Sequence, residues 1–122
     1  MREINIGSKR FSKAVAMDDP EFNANHAYVV IPSEVTPSGP EIPPNFAVVN
    51  FQKGPIKENG VNGCHNEDLI AIVIDRITSL NQGDFRCREN ALAITKLEEA
   101  LLWLNKRTQD RQNRGVEGTS NK

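Results

Sequence analysis

Four side chains near the C-terminal end of the chain have the types and spacing expected of a site for a phosphorylated ligand with a flat ring. The set contains one indole and three guanidiniums at intervals of four, four and three residues: Trp103, Arg107, Arg111 and Arg114. On an α-helix this spacing places all four on one face. Guanidiniums donate paired hydrogen bonds to phosphate and stack on rings, and an indole also stacks. The spacing predicts a surface for phosphate and purine.

The next residues, "RGVEGT", contain two glycines and a threonine that could complete an anion site. A turn at Gly115 and Gly118 would expose backbone amides beside the Thr119 hydroxyl, as in a nest. The alternative is structural, because cations near a helix C-terminus are favoured by the helix dipole and Gly115 is a typical stop signal. Both interpretations stay open from the sequence.

Other residue types that support metal binding or catalysis lack a suitable pattern. Cys64, His65 and Asp68 do not follow the ligand spacing of a zinc module. No nucleophile elbow, Cys-His signature or phosphate-binding glycine loop is found. The acidic residues Glu67 and Asp68 fit the favourable position of negative charge at a helix start. We therefore predict no catalytic residue, no metal and no cofactor.

Composition limits the classes of partner. The 122 residues carry a formal net charge of −1, which argues against bulk adhesion to duplex nucleic acid or an anionic membrane. The longest apolar run, "LIAIVI", is too short to span a bilayer, and "MREINIGSKR" has no apolar signal core. Two cysteines do not make a disulfide framework. The protein is expected to stay in the compartment where it is made, with any anion site local.

The two halves of the chain predict an α+β fold. All seven prolines lie between Pro20 and Pro55. In this half the short β-favouring runs "REINI", "KAVAM", "HAYVVI" and "FAVVNF" predict antiparallel strands. The proline-rich "PSEVTPSGPEIPPN" predicts an exposed loop, and Asn59-Gly60 and Asn62-Gly63 predict tight turns. We assign residues 1–64 to a sheet region and 65–122 to a two-helix antiparallel hairpin, forming one compact domain overall.

Helical signals define the predicted hairpin. Asn66 is the expected N-cap of a first helix over Glu67–Asn81 that has apolar residues on more than one face. Asp84 is the expected cap of a second helix that begins near Phe85 or Arg86 and reaches Arg114. A stripe of the second helix is predicted to pack on the first: Ala93, Leu97, Ala100, Leu101 and Leu104. The turns from Lys106 onward lack such a stripe and would be frayed or held by another subunit.

The segment "DFRCREN" offers a second candidate site. Phe85 could be a hydrophobic staple between the helices, with the following arginines forming a solvated first turn. Asn90, however, is a poor residue for a helix interior. An amide held near an aromatic ring and arginines could contact a nucleobase or ribose edge.

Three segments carry a family resemblance: "HNEDLIAIVIDRI", "CRENALAITKLEEALLWLNKRTQDR" and "RGVEGT". They resemble the helical hairpin shared by phage anti-Thoeris and anti-CBASS sponge proteins. The upstream "FAVVNFQKGPIKENGVNG" is similar to the sheet region of the anti-Thoeris branch. The resemblance implies a non-catalytic protein of the host bacterial cytoplasm. It would bind a cyclic ADP-ribose signal made by the Thoeris sensor and withhold it without cleavage.

The same resemblance implies an assembly and two classes of ligand. Homodimers would assemble into hexamers, with cyclic ADP-ribose isomers at dimer interfaces and cyclic di- or trinucleotides in separate pockets. Phe85 and Asn90 would belong to the ADP-ribose pocket. The phosphate-contacting residues would be Arg107, Arg111, Arg114, Gly115, Gly118 and Thr119, without an assignment of each arginine to one pocket. One alternative is an enzyme that degrades such signals, using Asp68, Asp75, His26 or His65. The other is a nucleic-acid-binding or structural phage oligomer.

Overall fold

The computed structural model describes residues 1–122, with all four strands preceding the helices. The strands are β1 (Arg2–Glu3), β2 (Ser12–Ala16), β3 (Ala27–Pro32) and β4 (Ala47–Asn50). The helices are α1 (Ile56–Asn59), α2 (Asn66–Asn81) and α3 (Arg88–Asn113). An antiparallel sheet followed by helices confirms the predicted α+β class. None of the helices has the length and apolar content needed to cross a bilayer.

The sheet has the order β1-β2-β3-β4, and every neighbouring pair is antiparallel. Val15 of β2 lies opposite Val29 of β3, and Ile31 follows two residues later. Alternate residues of a strand point to the same face, so these three side chains form one buried cluster. Met17 and Val35 pack against it. The small core of the sheet therefore lies on one face of β2 and β3.

A polar network fixes the connection between β2 and β3. The Asp18 carboxylate accepts the backbone N–H groups of His26 at 2.9 Å and Ala27 at 3.2 Å. Asn25 Nδ2 donates to the Asp18 carbonyl at 2.6 Å, and Arg2 Nη2 donates to Asn25 Oδ1 at 2.8 Å. Burial acts to raise the pKa of Asp18, but the hydrogen bonds from His26, Ala27 and Asn25 outweigh it and lower that pKa. Asp18 therefore stays ionised as a structural acceptor.

The region after β4 differs from the sequence prediction in two details. A four-residue helix, α1, follows Pro55, whose φ of −62° suits a helix start. Gly60, in one predicted turn, has a left-handed φ of 72°. Gly63, in the other, does not, and a Cβ there would overlap the Phe51 backbone. Gly63 is needed for the close approach that pairs Phe51 with Cys64, rather than for positive φ.

Both predicted helix caps were wrong. α2 begins at Asn66 with His65 as N-cap, because the Asp68 carboxylate accepts the His65 backbone N–H at 2.9 Å. α3 begins at Arg88 with Cys87 as N-cap, and Cys87 Sγ accepts the Asn90 N–H at 3.4 Å. Asp84 lies before this start, in the loop between the helices. The loop is longer than predicted and α3 correspondingly shorter.

α2 and α3 pack together. The five residues of the predicted α3 stripe are all half-buried: Ala93, Leu97, Ala100, Leu101 and Leu104. α3 has 26 residues and α2 has 16, so the last turns of α3 extend beyond its partner helix. α2 leaves Ile72 63% exposed while Ile70 and Ile74 are half-buried, so its apolar residues lie on more than one face, as predicted. Contacts group the chain into two compact units, Met1–Cys64 and His65–Lys122.

Candidate functional site

The last turns of α3 form an open groove, here called the arginine groove, with a volume of about 480 Å³. It is lined by Trp103, Lys106, Arg107, Asp110, Arg111, Arg114 and Lys122. The structure thus brings together the indole and the three guanidiniums that share a predicted helix face. Asp110 is the one acidic lining residue, and its carboxylate pairs with Lys106 Nζ at 3.1 Å. The groove is strongly cationic although the chain is nearly neutral.

The helical period explains why the groove residues differ in burial. Thr108 and Arg111 continue the packed stripe at steps of four and three after Leu104, and both are half-buried. Trp103 lies to one side of that stripe and is 71% exposed. The Lys106–Asp110 pair has the i,i+4 spacing that supports a helix. Arg111 therefore lies at the border between the packed and exposed faces of α3.

Gly115 ends α3 in a recognised backbone motif. Its φ is 72°, and its N–H donates to the Gln112 carbonyl at 3.0 Å. The Val116 N–H donates to the Arg111 carbonyl, also at 3.0 Å. These two bonds form the Schellman arrangement that closes many helices. The Gly115 amide is therefore engaged by the helix end, as the structural interpretation of this glycine predicts.

After Gly115 the chain folds back toward α3, but its carbonyls face the Arg111 guanidinium. Arg111 Nη1 donates to the Asn121 carbonyl at 2.8 Å. Nη2 donates to the carbonyls of Val116 at 2.9 Å and Thr119 at 3.1 Å. We call residues 115–122 the C-terminal segment. It presents acceptors to Arg111, whereas the predicted nest would present donors to an anion.

Arg114 and Thr119 are also engaged by this segment. Arg114 Nη1 donates to the Lys122 carbonyl at 2.6 Å. The Thr119 hydroxyl donates to the Val116 carbonyl at 2.5 Å. Gly118, with φ of 75°, supplies the second left-handed turn of the segment. Arg111 and Thr119 are thus joined through the Val116 carbonyl, and Arg114 contacts the last residue of the same segment.

The second predicted group lies at the opposite end of α3. Phe85 is 71% exposed, and Asn90, in the first turn of the helix, donates from Nδ2 to the Phe85 carbonyl at 3.1 Å. Asn90 and Arg107 are 17 residues apart on α3, a distance of about 25 Å along a helix axis. One chain therefore carries two separate candidate surfaces.

The residues considered for metal binding do not form a ligand cluster. Residues 1–122 contain no group of three or more His, Cys, Asp or Glu side chains placed to hold a metal ion. Asp68 instead caps the His65 backbone at the start of α2. Cys64 and Cys87 are both free thiols.

Sequence reasoning missed three residues of the arginine groove. Lys106 and Asp110 lie three and seven positions after Trp103, so helical spacing from the indole could have identified them. Lys122 follows the end of α3 and reaches the groove only because the C-terminal segment folds back. No periodic signal marks its position.

Comparisons with known proteins agree with the resemblance of the hairpin segments. The family model described as the Acb2/Tad1 hairpin domain matches residues 44–109. The chain is also similar to "Thoeris anti-defense 1" of Bacillus phage SBSphiJ7, with 49% identity over 123 aligned residues. That alignment covers 86% of this chain and 85% of the relative. The chain belongs to the Acb2/Tad1 hairpin-domain family.

Proposed function

We propose that this chain is a phage anti-defence protein that binds and sequesters cyclic ADP-ribose-type signals without cleaving them. Acting in the host bacterial cytoplasm, it would thereby inhibit Thoeris defence. The name of the relative from Bacillus phage SBSphiJ7 supports the anti-Thoeris role. The observation that carries the binding proposal is the arginine groove, in which three guanidiniums lie beside an exposed indole.

The chemistry of the groove matches that of a cyclic ADP-ribose. Such a molecule contains a pyrophosphate and an adenine ring. Arg107, Arg111 and Arg114 offer forked donors for phosphate oxygens, and Trp103 offers a flat ring for stacking. The volume of about 480 Å³ lies within the usual range for small-molecule sites. The cations are concentrated in one place, as a small anion requires.

Phosphate binding at Arg111 requires an exchange of hydrogen bonds. Three backbone carbonyls now accept from its guanidinium. The guanidinium also donates charged hydrogen bonds to these carbonyls, but phosphate oxygens carry the opposite charge and can accept two parallel bonds from one guanidinium, so they would compete well with the carbonyls. Gly115 and Gly118 would contribute through their left-handed turns, and Thr119 through its position next to the Arg111 guanidinium.

The residues that line the groove favour a binding function over an enzymatic one. The residues that would serve an enzyme, Asp68, Asp75, His26 or His65, are not among its lining residues. Asp110 is the acidic lining residue, and Lys106 neutralises it. The groove therefore offers hydrogen-bond donors and positive charge. Heat denaturation of the complex should release unchanged cyclic ADP-ribose, whereas recovery of a hydrolysed or isomerised product would establish the enzyme.

The proposal includes assembly of homodimers into hexamers. Ile72 on α2, with Leu102 and Trp103 on α3, is among the apolar side chains left more than 60% exposed. Leu102 and Trp103 lie together on α3, and a contiguous exposed apolar patch is typical of a surface that contacts another subunit. Phe85 and Asn90 would then contribute to a cyclic ADP-ribose pocket completed by a second copy. Cyclic di- and trinucleotides would occupy separate pockets, extending the inhibition to CBASS.

Native mass spectrometry tests the proposed function directly. The purified chain is measured alone and with a mixture of cyclic ADP-ribose isomers and cyclic di- and trinucleotides. We expect a dimer or hexamer that carries ligand of unchanged mass. A ligand-free oligomer would contradict the proposal. Binding to DNA or RNA with a steep salt dependence would instead support the nucleic-acid alternative.

A further inference from the structure

Two asparagines hold the loop between α2 and α3 from its opposite ends. Asn81, the last residue of α2, accepts the Cys87 backbone N–H on Oδ1 at 3.0 Å. Its carbonyl accepts Arg86 Nε at 3.2 Å. Asn90, on α3, donates from Nδ2 to the Phe85 carbonyl at 3.1 Å. The backbone from the Phe85 carbonyl to the Cys87 N–H is therefore fixed by hydrogen bonds.

This arrangement holds an apolar ring in solvent. Phe85 is 71% exposed, so packing within the hairpin does not determine where its ring points. The bonds from Asn81 and Asn90 restrict the backbone that carries it. A ring held in this way loses less conformational entropy when a flat ligand group stacks on it. The loop is suited to present Phe85 to an aromatic base.

We propose that Asn81 is a positioning residue for the cyclic ADP-ribose pocket that a second copy completes, because it holds the loop so that Phe85, rather than Trp103 of the same chain, can stack on the adenine there. Asn81 acts through the Cys87 backbone and does not itself contact ligand. This inference rests on the proposed function. It adds Asn81 to the site and gives Asn90 a role as donor to the Phe85 backbone.

The two asparagines use different atoms of the amide, and this difference provides a test. Asn81 uses an oxygen as acceptor, and an aspartate retains such an oxygen. Asn90 uses its nitrogen as donor, and an ionised aspartate has no such donor. Asn81→Asp should therefore keep the hydrogen bond to the Cys87 N–H. Asn81→Ala should lose that bond, and Asn90→Asp should lose the bond to the Phe85 carbonyl. The two aspartate variants match each other in size and charge.

Affinity for cyclic ADP-ribose is measured by calorimetry in full-length protein. Asn81→Ala and Asn90→Asp should each weaken binding about tenfold, as expected when stacking on one base is lost. Asn81→Asp should stay within about twofold of the unsubstituted protein, because its carboxylate can accept the Cys87 N–H. Inorganic pyrophosphate, which lacks a base, should bind all of these variants equally.

A double-mutant cycle shows whether Asn81 acts through Phe85. In a Phe85→Ala background, Asn81→Ala should cause no further loss of affinity. An additional loss of the same size, or an equal loss for pyrophosphate, would overturn the positioning role. If Asn81→Ala does not fold, the affinities of Asn81→Asp and Asn90→Asp for cyclic ADP-ribose test the proposal instead. Equal affinities of these two variants would refute it. Absence of cyclic ADP-ribose binding by the unsubstituted protein would refute the proposed function, and this inference with it.

Discussion

The two ends of α3 carry candidate ligand-binding side chains that differ in whether the protein itself already engages them. At the N-terminal end the Phe85 ring is exposed, and side-chain amides fix the backbone that carries it. At the C-terminal end the Arg111 guanidinium is engaged by carbonyls of the C-terminal segment. A stacking group can thus be ready for ligand while a phosphate-binding group is still occupied by its own chain.

The difference follows from the chemistry of the two side chains. An aromatic ring has no strong hydrogen-bonding group to satisfy, so it can remain exposed on a fixed loop. A half-buried guanidinium has five donors, and leaving them unpaired away from water is costly. Nearby carbonyls satisfy part of that need in the free protein. Ligand binding should therefore rearrange the C-terminal end of α3 and leave the N-terminal end unchanged.

The largest expected effect is loss of phosphate binding at the C-terminal end. Replacing Arg111 and Arg114 together by alanine should weaken cyclic ADP-ribose binding at least about 100-fold, since each charged hydrogen bond contributes about 1.5–3 kcal/mol. Calorimetry with cyclic ADP-ribose, and separately with a cyclic dinucleotide, would measure the loss for each ligand. An effect on one ligand alone would show which pocket these arginines serve.

The matched control is Lys96→Ala. Lys96 is also an exposed cation on α3 but lies outside the arginine groove, so its loss should leave affinity unchanged. Helix content by circular dichroism should be retained in both variants, because Arg111 and Arg114 follow the apolar stripe that packs on α2. Unchanged affinity in the double variant would remove these arginines from the ligand site.

Local periodicity explains what the sequence could predict. The stripe from Ala93 to Leu104 and the arginine face both follow from 3.6 residues per turn, and the structure places both as expected. The antiparallel strands were also predictable from short β-favouring runs separated by turn residues. These features depend mainly on residues that are near each other in the chain.

The errors concern hydrogen bonds that chain spacing does not determine. Asp84 was a reasonable cap by residue type, yet Cys87 caps α3 because Asn81 accepts its N–H across the loop. Similarly, Gly118 and Thr119 predicted a turn but not whether amides or carbonyls would face Arg111. Contacts across five to ten residues decide both outcomes. The order of residue types alone did not specify them.

A smaller effect should appear in the mobility of the C-terminal segment. Arg111→Ala removes three hydrogen bonds to residues 116–121, so amide hydrogen exchange there should accelerate about tenfold, given about 0.5 kcal/mol for each of the three bonds. Exchange by residues 83–87 should not change. Mass spectrometry of the exchanged peptides would report both regions, with Lys96→Ala as the unaffected variant. Equal acceleration at both ends of α3 would contradict their independence.

The smallest predicted effect compares the glycines on either side of α3. Gly115 has a φ of 72°, whereas Gly83 is outside the left-handed region, and an added Cβ meets no atom within 4 Å at either position. Gly115→Ala should therefore destabilise the fold by about 1–2 kcal/mol through backbone strain alone. Gly83→Ala should be neutral or stabilise it by up to about 1 kcal/mol, because alanine restricts the unfolded chain. Thermal unfolding would show opposite or clearly unequal shifts. Equal losses of stability would mean that the Schellman turn at Gly115 requires glycine no more than the loop at Gly83 does. In that case α3 would not need a residue with positive φ at its end to hold the C-terminal segment beside Arg111.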